Sequence, residues 1–201
     1  PFLKNESKKI TKKNIPTVIM LGGKGTRLKP FTDVLPKPLI PIGEKSVLEH
    51  IIKKFIDHGI NYFIFTVHFK ARIIKAYIQE LKQNIKIKCD FIDEKKPLGT
   101  VGGLKFLYRK IKKDFFVTNC DTIINADLNN VYDFHKKNDN VITLVVSIKE
   151  FKIPYGVCKI QNNGEFNNLI EKPKSNHLVN TGFYVLKPKI LKYIPKDKIF
   201  H

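Results

Sequence analysis

The residues best placed to do chemistry lie close together near the start of the chain. Leu21-Gly22-Gly23-Lys24-Gly25-Thr26-Arg27 combines three glycines with a lysine and an arginine. A loop of that composition turns bare backbone N–H groups and cationic side chains toward one anion. Phosphate fits such a cradle. Spacing separates it from two common phosphate loops: the four-residue gap and following Gly-Lys-Ser/Thr of a Walker A loop are missing. Gly23-Lys24-Gly25 matches only the first half of a dinucleotide G-x-G-x-x-G, because Leu28 stands where the third glycine belongs. Lys37, held between Pro36 and Pro38, adds another cation a short distance on.

An apolar run, Thr17 to Met20, precedes the cradle and reads as a first strand buried on both faces. Ser46-Val47-Leu48-Glu49 is a capping box, and Val47, Leu48, Ile51, Ile52, Phe55 and Ile56 form one helical stripe that Gly59 stops. Asn61 to Val67 reads as a second strand, Ala71 to Lys82 as a helix and Ile85 to Ile92 as a third strand. That alternation builds a parallel sheet with right-handed crossovers. Pro97-Leu98-Gly99-Thr100-Val101-Gly102-Gly103 then breaks the chain, lets backbone approach a flat ligand, and opens a helix expected to run to about Lys110. Asp114 to Asn119 reads as a strand that delivers Asp121 to the carboxyl edge of the sheet, where open α/β folds bind ligands. A helix over Asp127 to Lys137 and a strand over Val141 to Ile148 follow. From Tyr155 the pattern becomes strand-like without helices: Gly156 to Ile160, a turn at Asn162-Asn163-Gly164, Phe166 to Glu171, and Thr181 to Leu186. Pro188 to Ile194 reads as a last short helix, and Pro1 to Asn14 as a lysine-rich tail or linker ahead of a domain at 15–201.

Leu21-Gly22-Gly23-Lys24-Gly25-Thr26-Arg27-Leu28, followed by Leu35-Pro36-Lys37-Pro38-Leu39-Ile40-Pro41-Ile42-Gly43, resembles the opening of the sugar-1-phosphate nucleotidyltransferases. The resemblance extends over about Ile15 to Ile194. It implies an α/β fold: a Rossmann-like, mostly parallel (mixed) sheet flanked by helices, with a small antiparallel addition near the sugar site. It also implies that a nucleotidyl group passes from an NTP to a sugar 1-phosphate. By resemblance, Leu21 to Thr26 bind the nucleotide, Arg27 and Lys37 embrace the triphosphate and its reacting α-phosphate, and Gly99 with Thr100 lies against the base. Asp121 matches the place of an Mg²⁺-binding aspartate, and a hard dication takes oxygen ligands of this kind. The family's second metal aspartate falls past the last residue here, so an incomplete metal site is expected. A carboxylate at Glu94 can accept from guanine N1–H and N2–H₂, a pair that uracil and thymine do not both supply; an exposed acidic loop residue is the other reading. Gly156, Glu171, Lys172, Asn180 and Thr181 match the order of the family's sugar-phosphate site. The motifs look most like the guanylyl-transferring branch acting on mannose or glucosamine 1-phosphate, including enzymes that serve bacterial surface-glycan and nonulosonic-acid synthesis. Some bacterial members carry a regulatory domain ahead of the transferase, which would suit the lysine-rich start, and a homo-oligomer is compatible with the family.

Composition bears on the rivals. The 201 residues and 42% hydrophobic content suit one globular domain. Lys+Arg at 37 against Asp+Glu at 18 gives +19, which invites a nucleic-acid reading. The lysines are scattered along outer helix faces and no nucleic-acid module is present, so no nucleic-acid partner is expected, while anionic substrates are favoured. No apolar run approaches the ~20 residues of a membrane span, and no signal-peptide core is present, so a cytoplasmic protein without a membrane partner is expected. Cys89, Cys120 and Cys158 lack C-x-x-C spacing and read as buried free thiols. The six histidines show no ligand spacing and read as surface or packing residues. Two alternatives remain open: a catalytically silent ligand-binding domain of the same fold, and a nucleic-acid-binding protein.

Overall fold

The computed structural model describes residues 13–196 and 198–200. In chain order, β1 (Lys13–Met20) is followed by α1 (Phe31–Val34), the short pair β2 (Pro41–Ile42) and β3 (Lys45–Ser46), and α2 (Val47–Ile56). Then come β4 (Ile60–Val67), α3 (Ala71–Asn84), β5 (Lys88–Asp93), β6 (Phe115–Asn119), α4 (Leu128–Lys137), β7 (Ile142–Lys152), β8 (Val157–Ile160), β9 (Phe166–Ile170) and β10 (Lys174–Leu186). Short 3-10 segments lie at Thr26–Leu28, Lys37–Leu39, Gly102–Leu107 and Pro188–Tyr193. The chain divides into two compact units, one running to Leu144 and resuming at Gly182, the other Val145–Thr181.

In the first unit the main sheet has the order β5-β4-β1-β6-β10-β7. β1 pairs in parallel with β4 on one side and β6 on the other, and β4 pairs in parallel with β5. β10 runs antiparallel to β6, which makes the sheet mixed. Period-2 side chains explain why these strands read as continuous apolar runs: each face has a core of its own. On one face Phe55 of α2 meets Phe63, Phe116 and Phe183 with ring centroids 5.5–6.0 Å apart. On the other, Val18, Ile64, Phe115, Val117 and Leu186 pack with Leu104, Leu107, Ile111, Leu191 and Ile194. Pro16 sits inside this central strand where the register shifts between Lys13 and Pro16, the kind of irregularity that accommodates a missing donor. β1 begins at Lys13, so it crosses the boundary expected after Asn14; residues 1–12 of the expected tail lie outside the described residues.

The second unit holds β8 and β9 as an antiparallel pair in which Val157 faces Ile170. Gly164, at φ 86°, makes the turn expected at Asn162-Asn163-Gly164. None of residues 145–181 is buried, as expected of a segment too short to enclose a core.

Several expected elements change. The helix expected from the glycine loop to about Lys110 is a 3-10 segment over Gly102–Leu107, and Arg109 at φ 66° departs from helical geometry. The strand expected over Ile85 to Ile92 is Lys88–Asp93. The last helix is a 3-10 turn. β10 starts at Lys174, seven positions before the expected Thr181, because Lys174-Ser175-Asn176-His177 carries no apolar alternation. Of the three cysteines only Cys120 is buried; Cys89 is partly covered and Cys158 exposed, all three free.

Candidate functional site

Parallel strands deliver their carboxyl ends to one edge, so the segments after β1, β4, β5 and β6 emerge side by side. They line a cleft of about 560 Å³ bounded by the Gly22–Leu28 loop, Lys37, Thr66, His68, Glu94, Pro97–Thr100 and Asn119–Asp121. Arg27, Lys37 and Asp121, far apart in the chain, therefore share one space. Lys24, Arg27 and Lys37 supply positive charge, and Glu94 and Asp121 supply the carboxylates.

Gly25 bends the first loop. Its φ of 64° suits glycine, and a Cβ there would stand 2.9 Å from Thr32 Cγ2 and 3.0 Å from Lys37 Cβ. The Thr32 hydroxyl donates to the Gly25 carbonyl at 3.0 Å, fixing the loop over α1. Thr26–Leu28 then turns as a short 3-10 segment and leaves Arg27 exposed. Gly22 lies along the cleft and Leu21, fully buried, anchors the loop from beneath, its N–H donating to the Thr66 carbonyl at 2.8 Å. Leu21 is thus a support and does not line the cleft.

The Lys37 ammonium donates to Asp121 Oδ2, and both groups remain partly open to solvent. Cys120, beside them, is 8% exposed, and burial, with the neighbouring Asp121 charge, pushes its thiol up to about 12. It stays protonated and is no nucleophile at neutral pH. Asp121 can offer carboxylate oxygen to a dication. Among the described residues no group of three or more His, Cys, Asp or Glu could hold a metal by themselves. That donor set fits an ion completed by ligand oxygens and water rather than an all-protein cage.

Glu94 follows β5 and turns inward. Burial raises its carboxyl above the ordinary range, against the hydrogen bond from the Thr66 hydroxyl, the nearby His68 and the Leu98 N–H. Gly103 lies so close that a Cβ on it would fall 2.2 Å from Glu94 Oε1. The carboxylate thus holds the glycine loop to the strand ends, while also lining the cleft beside Gly99 and the exposed Thr100. His68, expected as a surface or packing residue, lines the cleft as well. Its Nδ1 lies 2.7 Å from the Glu94 carbonyl oxygen, which can only accept, so Nδ1 carries the hydrogen of that bond. Thr66, His68 and Asn119 were not nominated from sequence. Their positions at or just after strand ends were the signal available.

In the second unit, Gly156, Glu171 and Lys172 come together. A Cβ on Gly156 would stand 3.0 Å from Glu171 Oε2, and Lys172 Nζ lies 3.8 Å from Glu171 Oε1. The Thr181 hydroxyl donates to the Val145 carbonyl at 2.6 Å, so that hydrogen is committed to the backbone. Asn180 is exposed and lies in β10 beside it.

The chain matches the family model described as nucleotidyl transferase over residues 16–199. A mannose-1-phosphate guanyltransferase of Aspergillus fumigatus is 32% identical over 184 residues, covering 88% of this chain and 50% of that protein. The mannose-1-phosphate guanylyltransferase catalytic subunit beta of Danio rerio is also 32% identical, with 88% and 51% covered. The chain spans about half the length of the curated relatives it matches. Among solved structures, HddC from Yersinia pseudotuberculosis complexed with GMP-PN is 30% identical with a TM-score of 0.71, covering 92% of this chain and 81% of that one.

Proposed function

Because this chain belongs to the nucleotidyl transferase family, we propose that it transfers a nucleotidyl group, with GTP favoured, to a sugar 1-phosphate, yielding an NDP-sugar and pyrophosphate. The observation that carries the reading is the gathering of Arg27, Lys37 and Asp121 with the Gly22–Thr26 loop around one cleft at the carboxyl edge of the sheet. A sugar-1-phosphate oxygen is already ionised near neutral pH. It attacks the α-phosphorus in line, the bond from that phosphorus to the β-phosphate's bridging oxygen breaks, and pyrophosphate leaves with the electron pair. No strong general base is needed, only alignment and charge neutralisation.

Arg27 and Lys37 neutralise the triphosphate, and the Gly22–Thr26 backbone donates to its oxygens. Asp121 is the carboxylate suited to an Mg²⁺ shared with those phosphates, which would supply further charge neutralisation. Until a ligand is present, the Lys37–Asp121 pair keeps both side chains aimed into the cleft. Gly99 and Thr100 lie where a base would rest, and Glu94 beside them gives the preference for guanine. The guanyltransferase names of the relatives and the GMP-PN complex of HddC support the same base. Gly156, Glu171, Lys172, Asn180 and Thr181 are the proposed sugar-phosphate contacts. Supply of activated sugars for bacterial surface glycans or nonulosonic acids, in the cytoplasm, rests on the likeness of motifs.

The test is pyrophosphate release by the intact protein from each NTP with a panel of sugar 1-phosphates. The expected result is turnover greatest with GTP and falling about 100-fold or more in Arg27→Ala and Asp121→Ala, the scale of a lost transition-state charge contact. A preference for UTP or dTTP would reject the guanylyl reading. Release of no pyrophosphate from any pair would favour a catalytically silent ligand-binding domain.

A further inference from the structure

Beyond the cleft itself, the loop that lines it is held from behind by a distant part of the chain. The Phe200 N–H donates to the Leu98 carbonyl at 2.9 Å, and the Val101 N–H donates to the Phe200 carbonyl at 3.1 Å. These two bonds bracket Gly99 and Thr100, the loop residues placed against the base. Leu98 itself is 3% exposed, and its N–H donates to the Glu94 carboxylate. Gly102 marks how closely the two segments approach: a Cβ there would lie 2.8 Å from Leu98 Cβ and 3.2 Å from the Lys198 carbonyl oxygen.

The segment is anchored on its own side too. The preceding 3-10 turn, Pro188–Tyr193, places Leu191 in the core with Leu104, Leu107 and Ile111. Lys105 Nζ donates to the carbonyls of Leu191 and Lys192, each at 3.1 Å. The last described residues thus tie back to a packed element rather than trailing from it.

We propose that Lys198–Phe200 is a positioning strap, which fixes through the Phe200 backbone where Gly99 and Thr100 stand in the cleft and so sets nucleotide affinity. The proposal rests on the nucleotide reading of the cleft. Phe200 touches no substrate; it acts through Leu98 and Val101. A ligand that binds only the strapped loop gains the affinity that an unstrapped loop would lose to ordering.

The test compares Phe200→Pro, which removes the donated hydrogen, with Phe200→Leu, which keeps both backbone bonds. Two readouts are taken on the full chain: GTP affinity by calorimetric titration and hydrogen exchange of the Val101 amide without ligand. Phe200→Pro should speed Val101 exchange and weaken GTP binding about 3- to 10-fold, the worth of one hydrogen bond. The KM for the sugar phosphate should stay put, and Phe200→Leu should match the parent. Gly102→Ala, pressing on Leu98 and Lys198 from the other side, should give the same pattern if the proline variant fails to fold. Faster Val101 exchange with unchanged GTP affinity, or equal losses in the leucine variant, would overturn the strap and leave the nucleotide reading standing. A parent chain that binds no GTP would overturn both.

Discussion

Lys37 and Asp121 stand 84 positions apart and meet through an ammonium–carboxylate contact. Each was nominable from its own motif, one between two prolines and one at a strand end. Their pairing was not, because it depends on which strands are neighbours. Glu94 shows a second limit of reading residues singly. Sequence made it a reader of the base or an exposed loop acid; the structure gives it hydrogen bonds from Thr66 and Leu98 and a seat against Gly103. Its carboxyl, raised by burial above the ordinary 4.5, binds its proton more tightly in the folded chain than in the unfolded one. The contribution to stability is therefore full below 4.5 and is lost as pH rises through the folded value. Glu94→Gln removes that titration. Chemical denaturation at a series of pH values should show the parent losing stability relative to the variant as pH climbs from 4.5; a difference independent of pH would contradict the burial of this carboxyl.

At the scale of elements, α2 was legible almost to the residue. Its capping box is present in both directions, with Glu49 N donating to Ser46 Oγ at 3.1 Å and Ser46 N to Glu49 Oε2 at 3.3 Å. The Tyr77 hydroxyl of α3 donates to Glu49 Oε2 at 2.6 Å and accepts from the Ser46 hydroxyl at 3.0 Å, so the cap also joins two helices. Ser46→Ala should cost about 1–2 kcal/mol in urea unfolding, toward the upper end for a cap because the site is buried. An unchanged midpoint and slope would mean that the box contributes nothing. β4 and β6 were equally plain, since burial on both faces leaves long apolar runs, whereas β1 starts at Lys13, four residues before the expected Thr17, where Lys13, Asn14 and Pro16 interrupt the apolar run. β10 was half hidden because its first residues are polar and exposed, and pairing alone makes them a strand. After the glycine loop the sequence predicts a helix to about Lys110, where the structure has a shorter 3-10 segment over Gly102–Leu107, and the close approach of Gly103 to Glu94 leaves no trace in periodicity.

For the molecule as a whole, the four parallel strands β5, β4, β1 and β6 turn scattered motifs into one cleft. The chain order of the motifs showed that each lay after a strand; the sheet order showed that they converge. Among the described residues no helix is long and apolar enough to cross a membrane. The +19 balance favours anionic ligands, and Lys24, Arg27 and Lys37 stand together at the cleft. The central claim is that a nucleoside triphosphate rests between the glycine loop, those cations and the Pro97–Thr100 segment. Backbone amide shift mapping by NMR during a GTP titration reports it most directly. The account predicts that the amides of Gly22 to Thr26, Gly99 and Thr100 move together and saturate together. Shifts confined to other surfaces, with those amides unmoved at saturation, would contradict it.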